Sequence, residues 1–286
     1  MLITGVHRPE EILSMTFVLL EIMRPGNCLM ASAAALIGLL IADPSPELVT
    51  AVLVFLAVFV VTGAGNAIND YFDREIDRVN RPQRPIPSGR IEPETARAWS
   101  VLLFASGCLL ASQINLLTLG IGLFNSVLLY FYARNLKGAP LAGNLSVGYL
   151  TGSTFLFGGA AGEFPERTVF LFILASLATV SREIEKDIED IEGDREKDTR
   201  TLPIVAGEKT ASRLAVLFVL VAVGLSYVPS LGRAYLGVVT VADLLFLAAA
   251  TRILQGDATR AQRCMKMGMA VALTAFLIAA VTPFGR

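Results

Sequence analysis

Long apolar runs, separated by short charged stretches, dominate the 286-residue chain. Each run is close to the ~20 residues that a helix needs to cross the hydrocarbon core of a bilayer. Lipid cannot hydrogen-bond to the backbone, and no run alternates with a period of two, so the runs predict helices rather than a barrel. There are nine of them, at about 14–42, 48–70, 97–115, 116–133, 141–161, 168–186, 211–230, 233–252 and 265–283.

The pattern therefore predicts an all-α integral membrane protein, a bundle of nine transmembrane helices around a central cavity. The least clear boundary lies within 97–133, where only Gln113-Ile114-Asn115 interrupts the apolar sequence. A helix of that length, rising ~1.5 Å per residue, is too long for one span, so two helices are expected. The run 141–161 is rich in glycine, which favours close packing between helices in lipid. We expect one domain over residues 1–286.

The composition agrees with a membrane protein and excludes some chemistry. Hydrophobic residues make up 54% of the chain and charged residues 17%, against about 25% charged in soluble domains. The single histidine, His7, lies near the amino terminus, and the three cysteines are far apart in sequence, so neither a zinc site nor a disulfide framework is expected. The net charge of −1 by itself indicates no partner, and no nucleic-acid partner is expected for this membrane protein.

Lysine and arginine predict the orientation. With the amino terminus inside, 21 of the 24 basic residues fall on inside segments or adjoining helix ends, which leaves Arg167, Arg233 and Arg286 outside. By the positive-inside rule, two long charged loops near 70–96 and 182–210 are then cytoplasmic. We expect a multi-pass protein of the cell membrane, with these loops forming a cytoplasmic cap over the active site.

The two charged loops form an internal repeat. The first reads Asp73-x-x-x-Asp77-Arg78 and the second Asp190-x-x-x-Asp194-Arg195, and a glycine follows 12 or 13 residues after the second aspartate. A charged run after an apolar helix is, taken singly, most often a solvated loop. Repeats in membrane proteins, however, commonly build one site at their interface, and both copies lie on the same predicted side.

The acidic motifs predict a metal site. Asn69, Asp73 and Asp77 are four residues apart, so they share an arc of about 80° on a helix. Asp187, Asp190 and Asp194 share an arc of about 60° in the second motif. Stacked carboxylates repel unless a cation lies between them, and their hard oxygens suit Mg²⁺ or Ca²⁺. Because Mg²⁺ completes its shell with water and phosphate oxygens, the pair of motifs is consistent with a diphosphate site.

Basic and polar residues near the motifs are candidates for substrate binding. Arg81 and Arg84 follow the first motif, and Arg182 and Lys186 precede the second at helical spacings that would let them pair with its carboxylates. Arg24 interrupts the first apolar run, either as a cation reaching the interface at a kink or as one facing the cavity. Lys137 and Asn144 flank the run 141–161, where they set topology or contact substrate.

These residues carry a family resemblance. Asn69-Asp70-x-x-Asp73-x-x-x-Asp77, followed by Asn80-Arg81-Pro82-x-Arg84-Pro85, resembles the signature of the UbiA-type intramembrane prenyltransferases. Asp190-x-x-x-Asp194, with Gly193 and Thr201-Leu202-Pro203, is similar to the second motif of that family. Arg24-Pro25-x-Asn27 and Tyr132-x-x-x-x-Lys137 with Asn144 are similar to less specific positions. The resemblance covers nearly the whole chain, and nine helices is the family's number.

The resemblance implies a mechanism. Mg²⁺ ions held by Asn69, Asp73, Asp77, Asp190 and Asp194 bind a prenyl diphosphate, and the diphosphate leaves to give an allylic cation that an acceptor captures. Asp70 or Asp187 would take the acceptor's proton. The alternative for Asp70, which points about 100° away from Asn69 on the helix, is that it caps the helix or pairs with an arginine. The substrate-binding residues would be Arg24, Asn27, Arg81, Arg84, Tyr132, Lys137, Asn144, Arg182 and Lys186.

The acceptor is the least determined part. The run 182–194 is most similar to archaeal members that attach a geranylgeranyl group to geranylgeranylglyceryl phosphate, forming the second ether bond of archaeal lipids. A lipid-like phosphorylated acceptor is therefore expected, alongside membrane lipids. An aromatic acceptor, such as 4-hydroxybenzoate, a quinone precursor or a chlorophyllide, is the alternative within the family. A cation-coupled transporter is the alternative of another class, although transport sites usually lie near the bilayer midplane.

Overall fold

The structure, a computed structural model, describes residues 9–196, 199–229 and 231–282, so His7 lies outside the described residues. Every regular element in those ranges is helical. The helices are α1 (Pro9–Met23), α2 (Pro25–Ala42), α3 (Leu48–Phe72), α4 (Arg74–Asn80), α5 (Pro93–Ser112), α6 (Leu116–Phe131), α7 (Ala142–Ala160), α8 (Val169–Glu189), α9 (Ile191–Glu196), α10 (Leu202–Ala206), α11 (Glu208–Ser226), α12 (Gly232–Leu254) and α13 (Ala258–Val281).

Each of the nine apolar runs contains a long helix. Within the described ranges, seven helices are long and apolar enough to cross a membrane: α2, α3, α5, α6 with the turn that follows it, α11, α12 and α13. The other two runs form α7 and α8. The division of 97–133 into two helices is confirmed, and Asn115 explains it, because its side chain accepts a hydrogen bond from the Thr118 amide at 2.9 Å and caps α6.

The first apolar run is broken rather than continuous. Arg24 adopts a left-handed conformation (φ 53°, ψ 72°) between α1 and α2. Pro25 then occupies the first turn of α2, where its missing amide hydrogen costs no hydrogen bond. A non-glycine residue in this region of φ is uncommon and marks a constrained site. The break places a charged side chain inside what the sequence showed as one hydrophobic run.

Glycines allow α2 and α7 to cross with their backbones in contact. A Cβ atom placed on Gly158 would lie 1.8 Å from the carbonyl oxygen of Ala35, and one on Gly38 would lie 2.4 Å from that of Phe155. Each helix thus presents a glycine to the backbone of the other. The close packing predicted for the glycine-rich run 141–161 is confirmed.

The outside of the bundle is apolar. Large hydrophobic side chains on many helices are exposed, among them Phe17, Met30, Leu116, Phe124 and Leu244. A soluble monomer rarely leaves so much contiguous apolar surface in water. Together with the seven apolar helices, this surface identifies an integral membrane protein whose outer solvent is lipid.

The internal repeat has a structural counterpart in the described ranges. Asp73 lies at the junction of long α3 and short α4, and Asp190 lies at the junction of long α8 and short α9. The repeat's two glycines, Gly89 and Gly207, both have positive φ, at 75° and 84°, and each precedes a long helix, α5 or α11. A side chain would strain the backbone at either glycine, which accounts for their shared place in the repeat.

Candidate active site

One cavity of about 1310 Å³ runs through the bundle, and both acidic motifs line it. The first motif contributes Asn69, Asp73 and Asp77, and the second contributes Asp190 and Asp194. The two copies of the repeat are therefore brought to one space, although equivalent aspartates are 117 residues apart in the chain. This is the arrangement that a shared diphosphate site requires.

The first motif has its carboxylates paired with cations. Asp73 accepts a hydrogen bond from Asn69 Nδ2 at 2.8 Å through the same oxygen that contacts Lys137 Nζ. Asp77 accepts from Arg84 Nη1 at 2.6 Å. Both carboxylates are buried, yet each also reaches the cavity. Ion pairing offsets the cost of burying these two negative charges.

Asp70 lies beside the cavity but is not one of the residues that line it. It is buried, and one of its oxygens contacts both Arg24 and Arg84, the latter at 3.1 Å. The sequence proposed Asp70 as a proton acceptor. Its geometry instead makes it a positioning residue that holds two cavity-lining guanidinium groups. Arg24 had two interpretations, and the structure supports the one in which its side chain faces the cavity.

The loop after the first motif is fastened to α1. Arg90 forms two hydrogen bonds to the Glu21 carboxylate, at 2.6 and 2.8 Å, and a third to the Gln83 carbonyl at 2.8 Å. Ile86 and Ile91 of the same loop are buried in a cluster that includes residues of α1 and α3. Arg81 and Arg84 are therefore presented to the cavity by a loop with defined anchors.

The second motif is less paired than the first. Asp190 is exposed and Asp194 half-buried, and within the described part of the chain neither forms an ion pair. The expected pairing of Arg182 with this motif is wrong, because Arg182 bonds to the adjacent Glu183. Glu183 competes with the carboxylates of the second motif for Arg182. Because the two residues are adjacent in sequence, their ion pair requires no loop closure.

Asp187 and Asn144 form a pair outside the cavity lining. Asn144 Nδ2 donates to Asp187 Oδ2 at 2.8 Å, and Asn144 is buried. This bond joins α7 to α8 one turn before Asp190. The sequence proposed Asp187 as a proton acceptor and Asn144 as a substrate ligand, whereas the structure has them support the helix that carries Asp190.

Tyr132 and Lys137 face the cavity through an unusual turn. Residues Tyr132–Leu136 form a π-helical turn, and the Lys137 amide donates to the Tyr132 carbonyl at 3.1 Å. Residues five apart point in different directions on an α-helix, but a π-helical turn brings them to one face. Such turns are frequent at functional sites. Asn27, Lys186 and Arg182 also line the cavity.

The donor set fits a hard divalent cation better than zinc. Among the described residues, no three histidine, cysteine or acidic side chains converge on a single point. The carboxylates come instead in pairs from two motifs, with no sulfur or imidazole ligand beside them. Mg²⁺ usually takes only one or two protein carboxylates and fills its octahedron with water and phosphate oxygens. Two carboxylate pairs lining an open cavity match that requirement.

Several polar residues of the cavity were not identified from the sequence, among them Asp243, Ser226 and Lys266. Asp243 and Ser226 lie deeper in the bundle, and Lys266 lies on α13. Asp243 had a readable signal, since it is the single acidic residue within the apolar run 233–252. Charged residues in transmembrane segments are expensive and usually functional. Ser226 carried no such signal.

A family model described as the UbiA prenyltransferase family matches residues 31–278. The chain belongs to the UbiA prenyltransferase family. Among curated relatives, the digeranylgeranylglyceryl phosphate synthase of Methanothrix thermoacetophila is 56% identical over 261 residues, which is 91% of this chain and 98% of the relative. The match is to an enzyme family, which favours catalysis over the transporter alternative.

Solved structures of UbiA proteins share the fold. A structure from a study of digeranylgeranylglyceryl phosphate synthase in membranes superposes with a TM-score of 0.85 at 39% identity, covering 93% of this chain and 99% of that one. A UbiA homolog from Archaeoglobus fulgidus bound to GPP and Mg²⁺ gives a TM-score of 0.68 at 19% identity, with coverages of 89% and 99%. The resemblance that the motifs predicted is confirmed.

Arg84 offers a test of this UbiA site. Among the described residues it is the one guanidinium that contacts both Asp70 and Asp77, in each case through Nη1, and Arg84→Lys replaces this planar group by a compact ammonium on a flexible side chain. We expect kcat/KM for prenyl transfer to fall about 10- to 100-fold, as is typical when a residue supporting metal ligands is lost. Initial rates of pyrophosphate release measure the effect.

Arg78→Lys is the matched control. Arg78 pairs with Glu75 on the exposed side of α4, where an ion pair contributes little. Equal rates for the two variants would contradict the role given to Arg84.

Proposed function

We propose that the protein transfers a geranylgeranyl group from geranylgeranyl diphosphate to geranylgeranylglyceryl phosphate. The observation that carries the proposal is the 56% identity, over nearly the full length of both chains, to a digeranylgeranylglyceryl phosphate synthase. In the reaction, the bond between the allylic carbon and the diphosphate oxygen breaks. An ether bond to the acceptor hydroxyl forms, the hydroxyl loses its proton, and pyrophosphate leaves.

The proposed donor site lies between the two acidic motifs. Asn69, Asp73, Asp77, Asp190 and Asp194 would hold Mg²⁺, which when bound neutralises the leaving diphosphate as a Lewis acid. The A. fulgidus homolog bound to GPP and Mg²⁺ supports this choice of metal and donor class. In the structure, Lys137 contacts the Asp73 carboxylate and Arg84 contacts the Asp77 carboxylate. With Mg²⁺ bound at these carboxylates, Lys137 and Arg84 would be placed to donate to phosphate oxygens.

The apolar part of the cavity would hold the isoprenoid tail. Phe155, Phe246 and Phe276 line it with leucine, valine and alanine side chains. Such a wall buries the hydrocarbon and excludes water, which would otherwise capture the allylic cation. The delocalised positive charge of the allylic cation would then be accessible only to the acceptor.

We propose nine membrane spans, with the acidic motifs on the cytoplasmic side. The distribution of lysine and arginine supports this topology, and so do the lengths of α7 and α8, 19 and 21 residues. The charged loops near 70–96 and 182–210 would then form the cap of a single domain spanning 1–286.

An acceptor panel tests the proposed function. Purified protein in lipid vesicles is given geranylgeranyl diphosphate and Mg²⁺ with either geranylgeranylglyceryl phosphate or 4-hydroxybenzoate, and products are identified by mass spectrometry. We expect digeranylgeranylglyceryl phosphate from the first acceptor and no prenylated product from the second. A prenylated benzoate without the diether would replace this proposal with the aromatic alternative.

Metal removal is a separate prediction. Chelation by EDTA is expected to lower product formation at least about a hundredfold, because the leaving diphosphate loses its Lewis acid. Added Mg²⁺ should restore the rate. Thermal unfolding in detergent, with and without EDTA, checks that the helices stay folded. Full activity in EDTA would contradict the metal role of the two motifs.

A further inference from the structure

A buried carboxylate lies in the middle of α12, outside both acidic motifs. Asp243 is 3% exposed and is the only charged residue between Arg233 and Arg252 in this candidate membrane span. It lines the same cavity as the motifs. A charge at this depth is costly and marks function by default, and neither metal binding nor diphosphate binding uses it.

Asp243 is held by a defined network. Ser226 Oγ, at the end of α11, donates to Asp243 Oδ2 at 2.8 Å, and Ser226 also lines the cavity. The Ser226 carbonyl accepts from the hydroxyl of Tyr235, which is fully buried, at 2.8 Å. The Asp243–Ser226 pair is thus a fixed polar patch that faces the cavity.

The wall around this polar patch is apolar. Val239 and Phe246 lie one turn away on either side of Asp243, and both line the cavity. Leu273 and Phe276 of α13 contribute to the same wall. On α12 and α13 a hydrocarbon chain therefore meets apolar side chains around the pair, whereas the polar lining residues Asn125, Thr154 and Thr179 lie on α6, α7 and α8.

The depth of the pair follows from helix packing. Leu174 of α8 packs in one cluster with Val239, and Ala178 packs in another with Phe246, so α8 and α12 run in the same direction. Asp243 therefore lies level with residues 174–178, which precede Asp190 by 12 to 16 residues. At a rise of 1.5 Å per residue, the pair is about 18–24 Å from the diphosphate motifs. This is of the order of an extended geranylgeranyl chain.

We infer that the Asp243–Ser226 pair marks the far end of the donor tail pocket and limits the length of the prenyl chain. The inference rests on the proposed function. A longer hydrocarbon would cover the two polar groups without offering a hydrogen bond, which is unfavourable. A shorter one leaves part of the apolar wall in contact with water. The chain that ends at the pair is therefore bound best.

A donor series in the full-length protein tests the limit. Farnesyl, geranylgeranyl and geranylfarnesyl diphosphates are compared with one acceptor, geranylgeranylglyceryl phosphate. Asp243→Ala is expected to raise the kcat/KM for geranylfarnesyl relative to geranylgeranyl diphosphate at least about tenfold. Asp243→Asn, which keeps the volume and polarity, should keep the wild-type ratio. Leu244→Ala, on the exposed face of the same helix, is the control for a mutation in α12.

A second test uses only wild-type protein, so it does not depend on the folding of a variant. A hydroxyl group at the far end of geranylgeranyl diphosphate would reach the pair, and its kcat/KM should stay within about threefold of the parent donor. The same hydroxyl on farnesyl diphosphate would end against apolar wall, and it should cost at least about tenfold. Equal losses for the two hydroxylated donors, or an unchanged ratio in folded Asp243→Ala, would overturn the length limit. The proposed function fails instead, and the limit with it, if wild type makes no diether from geranylgeranyl diphosphate.

Discussion

Replacement of Asp73 by alanine is expected to lower kcat by at least about a thousandfold. Asp73 lies where α3 meets α4, is buried, and reaches the cavity with one oxygen shared by Asn69 and Lys137. Its loss removes a proposed metal ligand and leaves Lys137 without its carboxylate. We expect the same for Asp194→Ala in the second motif, because one pair of carboxylates cannot hold the diphosphate without the other.

Glu75→Ala is the control for Asp73→Ala. Glu75 lies two residues away on α4, but its carboxylate is exposed and pairs with Arg74 and Arg78 outside the cavity. We expect its activity to remain near wild type, since such pairs contribute little. Product formation is measured in vesicles, and circular dichroism with thermal unfolding in detergent confirms that each variant is folded. Activity of folded Asp73→Ala within tenfold of wild type would contradict the site.

Gly158→Ala is expected to have the largest effect on stability. The added methyl group would lie 1.8 Å from the Ala35 carbonyl oxygen, and a backbone atom cannot move aside as a flexible side chain does. Overpacking of this kind costs about 3 kcal/mol or more, and α2 must separate from α7 to accommodate it. The free energy of unfolding, measured by denaturing-detergent titration in mixed micelles, reports the loss.

Gly237→Ala is the matched substitution in another membrane helix. No atom lies within 4 Å of its added methyl group, so the change should be neutral or stabilise α12 by up to about 1 kcal/mol, as alanine is the better helix former. If Gly158→Ala and Gly237→Ala unfold at the same detergent fraction, the backbone contact between α2 and α7 is wrong.

The helices and the acidic motifs were predictable because their signals are local. Apolar runs reflect the thickness of the bilayer, and each of the nine contains a helix. The spacing of Asp73 from Asp77, repeated at Asp190 and Asp194, places each pair on one face whatever the rest of the fold does. The repeat further indicated that the two pairs meet, and they line one cavity.

The contacts of individual charges were not predictable, because they depend on side chains distant in sequence. The sequence left Asp70 as either a base or a partner of an arginine, and it did not identify the two arginines that Asp70 contacts, Arg24, 46 residues away, and Arg84. Arg182 had acidic partners at helical spacing and instead bonds to the residue next to it. Asp187 accepts a hydrogen bond from Asn144 of another helix. Sequence spacing lists the possible partners of a charge, and packing selects among them.

The amino-terminal helix reaches the reaction centre through two contacts. Glu21 of α1 secures the loop that presents Arg84, and Arg24, directly after α1, secures Asp70. Both residues precede position 31, where the match to the family begins. Shortening the protein to the matched region would remove both contacts, and fusing a rigid partner onto α1 would disturb them. Either change would weaken the anchoring of Arg84 and Asp70 beside the cavity. Tags for purification or labelling are better placed at the carboxyl terminus.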